Sequence, residues 1–290
     1  MQLYFFRGEA PNFGDELSGW LMPRMFPGMF DEPDGRLFLG IGSILFDHHP
    51  DDLLKVVFGS GYGGYTPVPA IDERWKFYCV RGPRTAMACG LDAKLAASDP
   101  AILISDYWRR SPAKIHRVSF MPHFRSIPLG QWQAACRLAG VHFIDPRAPV
   151  EVVLSEICES ELLITEAMHG AIVADALRTP WVPVAPFNPI NEPKWRDWAE
   201  TVDVDLKFYR LLPSSVQEAS LRVRGREVHA LKSVSRNVSR LTMDAPFIAV
   251  AAASLKTASR QAPQLSSDRS LDRAKDRLNG FARQVRADFA

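Results

Sequence analysis

Leu162-Leu163-Ile164-Thr165-Glu166-Ala167-Met168-His169-Gly170-Ala171-Ile172-Val173-Ala174-Asp175-Ala176-Leu177 is the stretch that decides the fold. Its first four residues form a short apolar run and suit a buried strand over 162–165; the residues over 169–177 suit a helix. A strand that gives way to a helix within a few residues is half of a βαβ unit. The alternation continues on both sides. Downstream, 181–184 reads as a strand and 192–199 as a helix. Upstream, strands fall at 117–121 and 141–144, with helices at 130–139 and 150–158. Ser111-Pro112 reads as a linker, before which strands fall at 3–6, 36–41, 55–58 and 76–80. Asp15 or Asn12 can cap a helix over 16–25, and Pro83 suits the first turn of a helix running to Cys89. Strands alternating with helices imply a mostly parallel sheet in each half. The expected fold is therefore α/β, with Rossmann-like domains at 1–110 and 111–215 and a basic helical tail at 216–290.

The composition narrows the function. The chain has 290 residues, 47% apolar and 23% charged, the profile of a globular protein. No run of about eighteen apolar residues occurs, so no bilayer-spanning helix is expected. Cys79, Cys89, Cys136 and Cys158 form no CxxC pair, which argues against a zinc knuckle or a redox dithiol. The first residues, Met1-Gln2-Leu3-Tyr4-Phe5-Phe6-Arg7, read as a buried strand and not as an export leader; with so few cysteines the expected compartment is the cytoplasm. The net charge of +2 divides into −6 for residues 1–218 and +8 for residues 219–290. An acidic body without a base-reading motif is a poor partner for nucleic acid. The basic tail has helical spacing at 216–241 and 271–289, an Ala-rich apolar run at 247–255 and a polar loop at 261–267. It can cover the second domain, cross back to the first, or lie on an anionic membrane surface.

Open α/β sheets bind ligands at the carboxyl ends of their strands. The unusual residues of this chain fall at those ends: 40–43, 59–64, 81–84, Pro122-His123 and 166–170. Gly42, Ser43, Gly59, Ser60 and Gly61 allow a backbone to approach a ligand closely, and tight turns explain them equally well. Neither glycine run is a GxGxxG that opens a helix, and no GxxxxGK[ST] occurs, so neither a dinucleotide nor a P-loop site is expected. No cofactor is expected, and no cluster of metal ligands is evident. Arg81 and Arg84 flank a helix start, where guanidinium forks and backbone N–H groups favour an anion; a pair of arginines bridging the domains is the alternative. His169 opens a helix. A helix N-terminus disfavours an imidazolium, so a general-acid role there needs an anionic neighbour. Glu166 is close in sequence, and a bound phosphate would serve as well.

Read in order, Asn12-Phe13-Gly14-Asp15-Glu16, Gly40-Ile41-Gly42-Ser43-Ile44-Leu45, Phe58-Gly59-Ser60-Gly61, Val80-Arg81-Gly82-Pro83-Arg84-Thr85, Ser98-Asp99-Pro100-Ala101, Pro122-His123, Glu166-Ala167-Met168-His169-Gly170-Ala171 and Lys194-Trp195-Arg196-Asp197-Trp198 form an ordered set. This set resembles the polysaccharide pyruvyl transferase family, in particular the ketal-pyruvate transferases of succinoglycan-type exopolysaccharide synthesis. The resemblance covers about residues 1–200. It implies a GT-B-like fold, two Rossmann-like domains facing a cleft, with phosphoenolpyruvate as donor. It also implies a sugar acceptor, commonly a lipid-linked oligosaccharide at the inner face of the cell membrane. The implied product is a pyruvate ketal bridging two sugar hydroxyls, with phosphate released. By resemblance His169 is the general acid that protonates the donor's methylene carbon. Arg81, Arg84, Arg125 and Lys194 are candidate anion clamps, and Glu166 belongs to the substrate site. Asp15 is a candidate base or orienter for an acceptor hydroxyl, with a helix cap as the alternative, and His123 touches either substrate. One departure stands out: many members carry an arginine where this chain has Ala167. Two other readings remain open on sequence. One is a nucleotide-sugar glycosyltransferase on the same architecture; the other is a non-catalytic, membrane-peripheral assembly factor held by the basic tail.

Overall fold

Leu37, Phe38 and Leu39, and likewise Val56, Val57 and Phe58, are buried without polar alternation, as in strands covered on both faces. In the computed structural model, which describes residues 1–109, 113–185, 191–224 and 238–289, these runs lie in a four-stranded parallel sheet. Its strands are β1 (Gln2–Tyr4), β2 (Arg36–Leu39), β3 (Leu54–Phe58) and β4 (Trp75–Cys79), in chain order across the sheet. Helix α1 (Phe13–Met25) follows β1, and α2 (Pro83–Ala88) follows β4. A 3-10 turn, Pro100–Leu103, runs into the short α3 (Ile104–Tyr107). The expected linker Ser111-Pro112 lies outside the described residues.

The second half holds β5 (Ser119–Met121), α4 (Trp132–Ala139), β6 (His142–Phe143), α5 (Val150–Cys158), β7 (Leu163–Thr165), α6 (Met168–Ala176), β8 (Trp181–Ala185), α7 (Glu192–Ala199) and β9 (Tyr209–Arg210). Its sheet is also parallel throughout, in the order β6-β5-β7-β8-β9. Two parallel sheets with helices make the α/β, Rossmann-like pairing that the alternation predicts. Three details differ. No helix connects β2 to β3 or β3 to β4; those connections are rich in Gly and Pro, which suit turns better than helices. Helix α4 starts at Trp132 and not at 130; the Gln131 N–H at its N-cap donates to Ser214 Oγ at 2.8 Å. β9 is a two-residue strand too short to show a period.

The tail does two of the things open to it. After α8 (Val216–Arg224), α9 (Val238–Ala258) packs on α4, and Ile248, Ala251 and Leu255 join the core of the second sheet. Helix α10 (Asp268–Phe289) crosses back to the first half. There Asp288 accepts hydrogen bonds from Lys76 and Tyr78, Arg286 donates to the Met25 carbonyl, and Lys275 pairs with Asp106. The largest apolar core is accordingly continuous: it runs from Phe38 and Phe58 through α1 to α5, α6 and α10. All four cysteines are buried free thiols. Among the described residues no helix is long and apolar enough to cross a membrane.

Candidate active site

The carboxyl ends of the two sheets meet. The loop after β1 is tied to the second half where Phe13 N–H donates to the Pro146 carbonyl at 2.8 Å. Helix α1 therefore starts beside α6, and contact is close at one point. Gly14, in the first turn of α1, lies under the imidazole of His169, where a Cβ would overlap the ring. His169 is the second residue of α6, whose N-cap is Ala167 in extended conformation. Thr165 Oγ1 accepts the Ala167 N–H at 2.9 Å and fixes the entry into the helix. Gly170 allows α6 to sit against β7 and β5, because a Cβ there would crowd Thr165 and Met121.

Two carboxylates flank this histidine, from different parts of the chain. Asp99 is fully buried; its Oδ1 accepts the Ala101 N–H at 3.0 Å, and its Oδ2 lies 3.5 Å from His169 Nε2. Asp15 lies on α1 and accepts a hydrogen bond from Asn12 Nδ2 at 2.7 Å. Burial pushes the Asp15 carboxyl above the usual carboxylate range, against the opposing pull of the Asn12 hydrogen bond and the charges of His169 and Lys194. Of the two capping candidates, Asn12 holds the N-cap position of α1, where its carbonyl accepts the Asp15 and Glu16 N–H groups without a side-chain cap hydrogen bond, and Asp15 lies inside the helix.

Glu166 is not the neighbour that sequence proximity suggests. It is buried beneath the loop after β5, where its Oε2 accepts the His123 N–H at 2.9 Å. Burial raises its carboxyl to about 8, with the charge of Glu218 adding to the effect, so it is mostly protonated at neutral pH. His123 itself is pushed down to about 3, first by burial and then by Lys194 and Arg125, so its imidazole is neutral. The cations on this side are Lys194, whose Nζ lies 3.3 Å from Tyr65 Oη, and Arg125, which follows His123 and stands over the Phe124 ring.

The other named residues form a second group. Arg81 is fully buried; its Nε donates to Asp197 Oδ2 at 3.0 Å and its Nη1 to Ser43 Oγ at 2.7 Å. Its guanidinium lies flat against Gly61, where a Cβ would overlap it. Asp197 also accepts from the Thr85 N–H and hydroxyl. Arg84 pairs with Glu200 at 2.6 Å. Both arginines thus bridge the halves, which was the alternative to anion binding. Ser60 donates to the Gly40 carbonyl, Gly61 N–H donates to the Gly42 carbonyl at 2.9 Å, and Gly59, at φ +81°, packs on Pro100. These residues stitch the ends of β2, β3 and β4 to one another and to the Asp99 turn.

Charge interactions link Asp15 with His169 and Lys194, and His123 with Lys194 and Arg125. Sequence reasoning did not assign roles to Gly14, Tyr65, Asp99 or Asp197. Asp99 and Asp197 do sit inside quoted motifs, and that was the available signal. Among the described residues no group of three His, Cys, Asp or Glu side chains can hold a metal ion.

A family model described as polysaccharide pyruvyl transferase matches residues 55–188, which include Arg81, Asp99, His123 and His169. The succinoglycan biosynthesis protein ExoV of Rhizobium meliloti (strain 1021) is 34% identical over 315 aligned residues, which cover 100% of both chains. No solved structure matches.

Proposed function

The chain belongs to the polysaccharide pyruvyl transferase family, and from that premise we propose that it transfers the enolpyruvyl group of phosphoenolpyruvate to two hydroxyls of one sugar in exopolysaccharide synthesis, closing a pyruvate ketal and releasing phosphate. The observation that supports this reading is His169 at the start of α6, packed against Gly14 of α1 and facing the buried Asp99, with Asp15 in electrostatic reach of it. In this reading the architecture is GT-B-like, with the donor held between the halves.

The chemistry assigns the roles. His169 protonates the methylene carbon, and positive charge develops on the adjacent carbon that bears the phosphate. A first sugar hydroxyl adds there, and a second displaces phosphate to close the ring. Asp15, held partly protonation-ready by its burial, takes a hydroxyl proton. Lys194 and Arg125 hold the donor's carboxylate and phosphate. They stand in for the arginine that many relatives carry at the position of Ala167. Arg81 and Arg84 act on the donor only through the frame they brace. The acceptor is a lipid-linked oligosaccharide, and the enzyme works in the cytoplasm at the inner face of the membrane.

The test is turnover. Enzyme, phosphoenolpyruvate and a panel of β-glucoside and β-galactoside acceptors should release inorganic phosphate and yield a product whose mass shows a pyruvate ketal. His169→Ala should abolish turnover while the thermal transition is kept. Phosphate release from none of the acceptors, in the presence of a thermal shift with a nucleotide sugar, would support glycosyl transfer instead.

A further inference from the structure

A histidine that delivers a proton must present one definite nitrogen to the substrate, and something must hold the other. In His169 the two nitrogens have different surroundings. Nε2 is sealed from solvent and has no hydrogen-bond partner of good geometry. The polar atom facing it is Asp99 Oδ2 at 3.5 Å, itself sealed and without a partner. Two buried polar atoms left without any other partner, and facing each other, form an incomplete hydrogen bond; such bonds in empty sites commonly shorten when substrate binds. Nδ1 lies on the opposite edge of the ring, over Gly14, and the ring keeps 13% of its side-chain surface exposed although Nε2 contributes none.

We propose that Asp99 is the positioning residue of this centre: its buried carboxylate holds the proton on Nε2 of His169, so that Nδ1 is the nitrogen that gives its proton to the enol donor. This inference rests on the reading of His169 as proton donor. The step balances. The donor's carbon–carbon π pair takes the Nδ1 proton to become a methyl C–H bond. The N–H electron pair stays on Nδ1, and the ring is left neutral with its remaining hydrogen on Nε2, facing Asp99. The electron-poor carbon next to the methyl group takes an electron pair from the sugar oxygen.

The fold keeps Asp99 in place by independent means. Its other oxygen accepts the Ala101 N–H and caps the Pro100–Leu103 turn, and Pro100 is held against Gly59. That turn packs on α6, the helix that carries His169, and on α10. The carboxylate therefore cannot follow the ring if the ring rotates, which is what a fixed tautomer requires.

The experiment is a long-range proton–nitrogen NMR spectrum of the full chain labelled with nitrogen-15 at histidine, with His169 assigned by the loss of its signals in His169→Asn. At a pH where the ring is neutral, the wild type should show the hydrogen on Nε2. In Asp99→Asn the amide oxygen can keep the Ala101 bond while its NH2 group turns to Nε2, so the hydrogen should move to Nδ1. Turnover should then fall about 100-fold or more, with KM for phosphoenolpyruvate changed less than about threefold, in line with the wrong-tautomer effect in serine proteases. Asp99→Ser keeps a cap acceptor without a charge and should give a mixture of tautomers. A wild-type ring with its hydrogen on Nδ1 would overturn the proposal, as would an Asp99→Asn enzyme with an unchanged tautomer or one impaired through KM alone. The proton-donor reading fails separately, if His169→Asn keeps its turnover, and the wild-type spectrum decides the role of Asp99 in either case.

Discussion

Gly14 shows what one hydrogen atom in place of a methyl group does for this site. It lies within α1, where alanine is the better helix former by up to about 1 kcal/mol, yet a Cβ at this point would overlap the His169 ring. Gly14→Ala should therefore push the ring aside, lowering the unfolding free energy by roughly 1–3 kcal/mol, while turnover falls roughly 100-fold, the usual consequence of displacing a reacting group by about 1 Å. A steady-state assay beside a thermal melt checks both halves of that expectation. His123 and Glu166 make a second case, because both are held uncharged. The His123 imidazole sits near 3, below its unfolded value, so acidification below about 6.5 favours the unfolded chain. The Glu166 carboxyl sits near 8, above its unfolded value, so its contribution is intact below about 4.5 and is lost as pH rises toward 8. The two slopes oppose each other between 4.5 and 6.5, where stability contributed by this pair is flat. Glu166→Gln should remove the alkaline loss. Its unfolding free energy relative to the wild type, from urea titrations at pH 5 and pH 8, should rise with pH by on the order of 3 kcal/mol; an equal difference at both pH values would mean that Glu166 is charged in the fold.

At the scale of elements, a buried ion pair joins the loop before α2 to α7. Arg81 and Asp197 are both buried, and removing one partner leaves the other as an unpaired buried charge, typically at a cost of 3–5 kcal/mol. Arg81→Met should lower the unfolding free energy by about that amount in a denaturant titration. If Arg81 held the donor directly, the same variant would raise KM for phosphoenolpyruvate with stability intact. The sequence made much of this scale legible. Apolar runs located β2, β3, β5, β7 and β8, and the strand-to-helix turn at 162–177 gave β7 and α6 nearly to the residue. The glycine loops at strand ends suit tight turns as well as ligand approach, and in the fold Ser60 and Gly61 tie the loop after β3 to the carbonyls of Gly40 and Gly42 after β2. Partnerships between distant residues were not legible. A local reading offers Glu166 to His169 because three residues separate them, whereas the carboxylate that faces the ring, Asp99, comes from the other half of the chain. Likewise a helix-start arginine looks the same in sequence whether an anion or an aspartate on α7 receives it.

For the molecule as a whole, the tail divides its charge between two uses. On α10, Arg273, Lys275, Arg277 and Arg286 bind Asp203, Asp106, the Lys94 carbonyl and the Met25 carbonyl, which fastens the helix to the body. The basic residues Arg222, Arg224, Arg226, Lys232, Arg236 and Arg240 fall in the part of the tail whose side chains lie outside the described residues. If the enzyme meets an anionic membrane through its tail, this second set carries the attraction, at about 1 kcal/mol per basic residue near the surface. Replacing Arg222, Arg224 and Arg226 by Gln should weaken co-sedimentation with phosphatidylglycerol vesicles at least tenfold and leave phosphate release on a soluble acceptor unchanged; unaltered sedimentation would remove the membrane role from this cluster. The buried thiols give the molecule one more property. Cys79 and Cys89 belong to the first half, and Cys136 and Cys158 to the second, so each half carries its own reporter of exposure. Under native conditions a thiol-reactive dye can reach them only when the surrounding structure opens, and labelling rates resolved by mass spectrometry would then time the opening of each half separately. A core that runs unbroken through both halves predicts that the two clocks keep the same time.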